Sequence, residues 1–242
     1  MTHPVMTAYL LALSSHTGPG PAPLPMADFA AMLGLDGLGL LLSPTGGPAQ
    51  LVQSHGEHTD LLEDLQQVQG QGPSLDAARF GSLLLIPDIA ECSSEQWPGL
   101  PAAVQALGIR AVFAFPLRIG VIGLGALSGY RTRPGPMSSE QLADALGLAE
   151  ILAQLTNATA THTDLAPTAL LDEPGLHFAE VHQATGMLAA QLHSDCDNAL
   201  ILLRGHAFSH DQSLLSIARD VLAQRLHLDD NDNDNDNDTP QP

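Results

Sequence analysis

Lysine is absent from the 242-residue chain, so eight arginines carry all of its permanent side-chain positive charge. Against them stand 27 aspartates and glutamates, for a formal net charge of −19 at pH 7. That deficit excludes broad, sequence-indifferent adhesion to nucleic acid or anionic membrane, because both rely on Lys and Arg meeting phosphate. Cysteine is nearly as scarce. Cys92 and Cys196 lie far apart in the sequence and build neither a disulfide framework nor the paired-Cys knuckle of a zinc site. Long hydrophobic runs are missing too, and none approaches the roughly 20 residues that a membrane-spanning helix needs. The apolar patch between Val5 and Leu13 has no basic flank of the kind a secretory signal carries, since the first arginine is Arg79. The expectation is a soluble, cytoplasmic protein with no membrane partner. What the chain does have is apolar material: 44% of its residues, against 14% charged, which is enough to build packed cores.

Composition shifts divide the chain. Residues 1–22 form an N-terminal segment running into the Gly/Pro-rich stretch TGPGPAPLP (Thr17–Pro25). The body, 23–163, mixes strand and helix patterns. Residues 164–174, with Pro167 and Pro174, read as a linker, and 175–228 as a small helical domain. The tail 229–242, DDNDNDNDNDTPQP, has nothing apolar to bury and is expected to be disordered. Its alternating Asp and Asn are spaced like calcium-loop ligands. It lacks the turn Gly and closing Glu of such a loop, so a solvated, polyanion-repelling tail is the expectation.

Within the body, Gly37–Ser43 and Gln50–Ser54 read as a hairpin around a turn at Pro44–Pro48. Helical patterns follow at Glu57–Val68 and Gln96–Leu107, with a short apolar strand, Gly81–Pro87, between them. Two strands come next, Arg110–Arg118 and Val121–Tyr130. In the first, Ala111, Phe113, Phe115 and Leu117 share a face because side chains alternate across a strand. Ser138 and Gln141 have the spacing of a capping box at the head of a long helix reaching His162. That helix carries two apolar stripes: Leu142, Ala145, Ala149 and Leu152, then Leu148, Ile151, Leu155 and Ala158. A helix on one sheet needs only one stripe. The second implies a partner helix from another copy of the chain, as in a homodimer, or cover by residues 1–16.

The domain at 175–228 is all-helical. Val181, Ala184, Leu188 and Leu192 line its first helix, with Ser194 and Asp195 as a cap for the next. Cys196, Ala199, Leu200, Leu203 and Ala207 line the second, and Leu214, Ile217, Ala218, Val221 and Leu222 the third. Alanine at the contact positions lets helix axes approach closely.

These residues carry a resemblance. VHQATGMLAAQL (Val181–Leu192), followed by DNALILLRGHAFSHDQSLLSIARDVLAQRL (Asp197–Leu226), resembles the ANTAR domain, a three-helix RNA-binding module of bacterial transcription antiterminators. The matching positions are Ala184 and Gly186, then Ala199, Leu203 and Ala207, then Leu214, Ala218 and Val221. Upstream, WPGLPAAVQALGIRAVFAFPLRIGVIGLGALSGYR (Trp97–Arg131) resembles the closing part of a GAF domain, a sensory fold with a central antiparallel sheet. The fold class implied is α+β: a GAF-like antiparallel sheet flanked by helices, followed by a small three-helix ANTAR domain. The combination resembles actinobacterial regulators that sense a signal or dimerise through GAF and bind RNA through ANTAR. By that resemblance the partner is a pair of tandem stem-loops in an mRNA leader, held so that the competing terminator hairpin does not form. Binding energy added to one of two RNA folds of similar stability shifts the population toward read-through.

The resemblance places Gln183, Thr185 and Gly186 close to a loop base, and Arg204, Arg219 and Arg225 at phosphates. Thr185 departs from the family, which often has Lys at that position. Three arginines against five acids leave the 175–228 segment at 3 − 5 = −2, a poor footprint for RNA. Six histidines lie there as well, and their protonation predicts RNA binding that is stronger near pH 6 than at neutrality. The same acidic surface and Thr185 leave room for a second reading, a ligand-sensing or protein-interaction module that does not bind RNA.

The remaining sites read as structural. His206 and His210 share a helical spacing with Cys196 nearby in sequence, but surface histidine outweighs a metal site. Cys92 reads as an apolar filler rather than a chromophore anchor. Gly120, Gly123, Gly125 and Gly129 lie in a strand-like run and allow bending or close packing rather than phosphate binding. Phe113 and Phe115 either line an effector pocket between the sheet and the loops from Ile89 to Gly108, or belong to the core. No catalytic constellation is present, any cofactor stays unknown, and an enzyme is not expected.

Overall fold

Five antiparallel strands organise the first part of the chain, and their faces explain its sequence. The computed structural model describes residues 24–43, 49–93, 95–162, 179–210 and 212–228. The expected N-terminal segment 1–22, the turn Pro44–Pro48, the linker 164–174 and the acidic tail 229–242 fall outside the described residues. The chain divides into two compact units, Met1–His177 and Phe178–Pro242, each considered by itself.

In the first unit, α1 (Met26–Leu33) precedes the hairpin β1 (Gly37–Leu42) and β2 (Gln50–His55). Then come α2 (Thr59–Gln69), α3 (Pro73–Phe80), the short strand β3 (Leu84–Ile86), a 3-10 turn at Ile89–Glu91, and α4 (Leu100–Ala106). The strands β4 (Ala111–Ile119) and β5 (Ile122–Arg131) and the long helix α5 (Ser139–His162) complete it. The sheet order is β2-β1-β5-β4-β3. This is an α+β unit with a purely antiparallel sheet.

Both faces of the sheet are covered, so β4 is apolar on successive residues rather than alternately. On one face Leu38, Leu40 and Leu42 of β1, Phe113, Phe115 and Leu117 of β4 and Leu127 of β5 pack against Phe29, Ala30 and Leu33 of α1 and Ala145, Leu148, Ala149 and Leu152 of α5. On the other, Val112 and Tyr130 meet Leu62 of α2, Ile89, Trp97, Leu100, Val104 and Ile109. The expected capping box is formed in both directions. Ser138 N–H donates to Gln141 Oε1 at 3.0 Å, and Gln141 N–H to Ser138 Oγ at 3.1 Å.

Three sequence expectations need correction. The helix read over Gln96–Leu107 begins only at Leu100, because Pro98 and the left-handed Gly99 (φ 82°) break its first turn. The strand read over Gly81–Pro87 pairs with β4 only across Leu84–Ile86. The second stripe on α5 is partly used within the chain: Leu148 is fully buried in the α1/α5 core, while Ile151 only flanks it.

The second unit holds three helices, α6 (Ala179–Leu192), α7 (Cys196–Ser209) and α8 (Leu214–Leu222). Asp195 caps α7 by accepting from Asn198 N–H at 2.8 Å, and Ser213 caps α8 by accepting from Ser216 N–H at 3.1 Å. Val181, Ala184, Leu188, Ala199, Leu203, Ala207, Leu214, Ile217, Ala218 and Val221 make its core. No helix among the described residues is long and apolar enough to cross a membrane.

Candidate functional site

Small residues on one face of the sheet open the first unit's most unusual environment. Gly39 of β1 pairs with Ser128 of β5, and Gly37 with Tyr130. Without side chains at Gly37 and Gly39, α2 lies directly on the sheet. A Cβ at Gly37 would overlap the Tyr130 ring, and one at Gly39 would come within 3.1 Å of Thr59. The α2 residues over this gap are polar: Thr59, Glu63 and Gln66, all buried. Glu63 is completely enclosed.

Its partners come from the next helix and its own. Ser74 Oγ of α3 donates to Glu63 Oε2 at 2.5 Å, and Gln66 Nε2 donates to the same oxygen at 3.2 Å. Gln66 Oε1 in turn accepts from Ser74 N–H at 2.9 Å. The turn between the helices is built around this carboxamide: Gly72 has φ 140°, and a Cβ there would overlap Gln66 Oε1. Ser128 faces Glu63 from the sheet side and favours its ionised form, but neither Ser128 Oγ nor Glu63 Oε1 makes a hydrogen bond of regular geometry among the described residues. Burial therefore dominates and pushes the Glu63 carboxyl up to about 7, with the neighbouring Asp60 charge acting in the same direction.

None of these residues stood out in the sequence. The available signal was a stripe of polar residues (Thr59, Glu63, Gln66) at helical spacing, matched by two glycines at strand spacing in β1.

Phe113 and Phe115 lie elsewhere. Both are fully buried on the sheet face that carries α1 and α5, and the loops from Ile89 to Gly108 cover the opposite face. They do not line a pocket beneath those loops, and of the two sequence readings they take the core one. The alternation of a strand fixes this, since Val112 faces the loops and its neighbours must face away. Cys92 is half-buried against the loop-side core, and burial raises its thiol above the ordinary range, away from reactive thiolate character.

In the second unit the expected RNA-contact residues separate. Gln183 and Gly186 are exposed on one face of α6, where a Cβ at Gly186 would meet nothing. Thr185 is buried, and its hydroxyl donates to the Val181 carbonyl at 2.7 Å. It lies on the core side of α6, away from the face that carries Gln183 and Gly186. Arg219 Nε donates to Glu180 Oε2 at 2.7 Å, joining α8 to α6. Arg225 places both Nε and Nη2 on Asp220 Oδ1, at 2.9 and 2.6 Å. Arg204 is half-buried on α7.

The histidines are also unequal. The imidazole rings of His206 and His210 stack 4.0 Å apart at the end of α7, whereas Cys196 begins the same helix about 15 Å away along its axis. These three do not converge on one point. Burial holds the His182 imidazole below its ordinary range, so His182 resists the protonation expected to favour RNA. The sign for stability follows. The unfolded chain takes up this proton near pH 6.5 and the folded unit does so only at lower pH, so the second unit loses stability as pH falls through that window. Replacing His182 by Gln is expected to flatten the fall in helical melting temperature between pH 7 and 5. An unchanged slope would remove His182 as its cause.

The first unit is thus an α+β domain with an antiparallel sheet, and the second a three-helix domain. No protein-family model matches the chain, and no curated protein matches its sequence. Solved structures do match. The GAF domain of an Acinetobacter phosphoenolpyruvate-protein phosphotransferase is 10% identical, with a TM-score of 0.50 over 66% of this chain and 95% of that one. A GAF domain/HD domain protein from Geobacter sulfurreducens is 18% identical, with a TM-score of 0.45 over 58% and 91%. The chromophore-binding domain of a bacteriophytochrome from R. palustris is 11% identical, with a TM-score of 0.45 over 64% and 60%. The first of these establishes that the first unit has a GAF-like fold.

Proposed function

We propose that this chain is a regulator in which the GAF-like unit senses a signal or mediates dimerisation. In this reading the three-helix unit is the output and binds tandem stem-loops in nascent mRNA to prevent termination. The observation that carries it is the second unit's core. The ANTAR-like residues Ala184, Ala199, Leu203, Ala207, Leu214, Ala218 and Val221 are all buried at helix contacts, while Gly186 of the same pattern stays open beside Gln183. Recognition would rest on shape, stacking and splayed loop bases, which such an open face suits better than a groove. Many GAF folds act as sensors, and an effector and a homodimer both remain part of this proposal.

A specific observation favours a second reading, an interaction module that binds no RNA: Arg219 and Arg225 are already occupied by Glu180 and Asp220. A gel-shift assay with a two-stem-loop RNA in dilute buffer separates the two. Binding that weakens with salt supports the first, and no shift even at low salt supports the second. Given binding, charge reversal at Arg204 and Arg219 is expected to weaken it and to flatten the log–log salt slope by about 1 for each phosphate no longer neutralised. If affinity and slope both stay at the wild-type values, those arginines are structural.

A further inference from the structure

The enclosed carboxyl of Glu63 has no part in the RNA reading, yet three elements converge on it. Helix α2 supplies Glu63 and Gln66, α3 supplies Ser74 through both its hydroxyl and its N–H, and β5 supplies Ser128. Among the described residues, the groups facing the site bring no compensating cation. On its own helix, Asp60 adds a like charge. On α3, Asp76 accepts from Trp97 Nε1 at 2.8 Å, and Arg79 is turned to the Gly70 carbonyl at 3.3 Å. On β5, the Tyr130 hydroxyl accepts from His58 N–H at 3.0 Å. On β2, His55 meets α2 through its carbonyl, which accepts from Thr59 Oγ1. Strand β1 and helix α4 carry no titratable side chain.

A neutral carboxyl costs less in this position than an ionised one: its Oε2 accepts from Ser74 and Gln66, and it brings no charge into the interior. An ionised one is a buried anion held only by hydroxyl and amide donors.

We propose that Glu63, Ser74, Gln66 and Ser128 form a proton-operated clasp, which seats α3 on α2 and the sheet when Glu63 is neutral and loosens α3 when Glu63 releases its proton to solvent. The proposal stands apart from what the second unit binds. Burial places the transition near neutrality, with the carboxyl raised to about 7. The sign follows from linkage. The folded carboxyl titrates above the unfolded value of about 4.3, so its stabilisation is complete below that value and declines as pH rises. It is lost once pH passes through about 7.

The chain contains a built-in reporter. Trp97 is its single tryptophan, and it is hydrogen-bonded to Asp76 on the helix that the clasp holds. The test uses the full chain from pH 5.5 to 8.5, reading Trp97 emission and amide exchange in α3 after correction for intrinsic base catalysis. In the wild type, emission is expected to move to the red along one titration curve, and α3 amides to exchange about tenfold faster at the alkaline end. E63Q, which keeps the shape and removes the proton, is expected to stay at the acidic-end values throughout. S74A removes a donor that favours the charged form and is expected to move the midpoint to higher pH. A wild type without a transition overturns the proposal, as does a transition that persists unchanged in E63Q. Should E63Q fail to fold, the S74A midpoint decides, and an unmoved midpoint overturns the clasp.

Discussion

Replacing Gly125 by alanine is expected to abolish the folded first unit. Gly125 lies in β5, the central strand of the sheet, opposite Leu42 of β1 and Leu117 of β4. Its φ of 149° is one that side-chain-bearing residues rarely adopt, and a Cβ there would overlap the carbonyl oxygen of Leu41 and lie 2.9 Å from Leu42 Cα. Both obstacles are backbone in a paired strand, so no rotamer change relieves them. Strain of about 1–3 kcal/mol from the dihedral alone adds to the broken pairing, and together they exceed the roughly 4 kcal/mol reached by few single substitutions. A domain of ordinary stability, about 5–15 kcal/mol, has little left after such a loss. Thermal unfolding followed by Trp97 emission checks this. Gly120→Ala is the control, since Gly120 also has positive φ (59°) but opens onto empty space, and it is expected to cost only about 1–2 kcal/mol. If the Gly125 variant melted within a few degrees of wild type, β1 and β5 would have to pair more loosely than described.

The difference between these two glycines shows what periodicity and composition convey. The run from Gly120 to Gly129 was legible as strand with a structural use for its glycines, but which of them touches backbone depends on the pairing of β1 with β5, and pairing leaves no local signature. The same holds for the buried carboxyl. Glu63, Ser74 and Ser128 come from three separate elements, and in the sequence each looks like an ordinary surface residue. By contrast, the β1–β2 hairpin, β4 and β5 as separate strands, the capping box at Ser138 and the apolar face of β4 are local patterns, and they were readable. Helix α1 was not read: Met26, Phe29, Ala30 and Leu33 recur at 3–4 spacing and are buried, but the Gly/Pro-rich run before it hid the pattern. Helix α3 gave less warning: it is two turns long, opened by Pro73, and its apolar residues Leu75, Ala77 and Ala78 are too few to declare a period. On α6 the family pattern located the core but not the surface. Thr185 sits between two pattern positions, and only the helix's rotation about its axis decides that it turns inward.

Leu203→Ala is expected to unfold the three-helix unit while leaving the first unit's Trp97 signal in place. Leu203 is fully buried at the middle of α7, between Ala199 and Ala207, one turn away on either side. Those alanines are what let α6 and α8 approach α7 closely, and they are also why the loss cannot be repaired: an alanine has no side chain to swing into the cavity. A buried Leu→Ala change costs about 2–5 kcal/mol, toward the upper end where the surroundings cannot collapse. A unit of this size buries too little surface to absorb that loss. Far-UV circular dichroism should therefore lose the helical contribution of α6–α8 near room temperature, and Trp97 emission in the first unit serves as the control. The consequence for function separates a docking surface from a scaffold. If RNA is held by the open face of α6, Leu203→Ala abolishes binding by removing the helix, whereas Gln183→Ala weakens it with the melting curve unchanged. Binding that survived the loss of helical signal would place the RNA-binding surface outside the three helices and undo the assignment of Gln183 and Gly186.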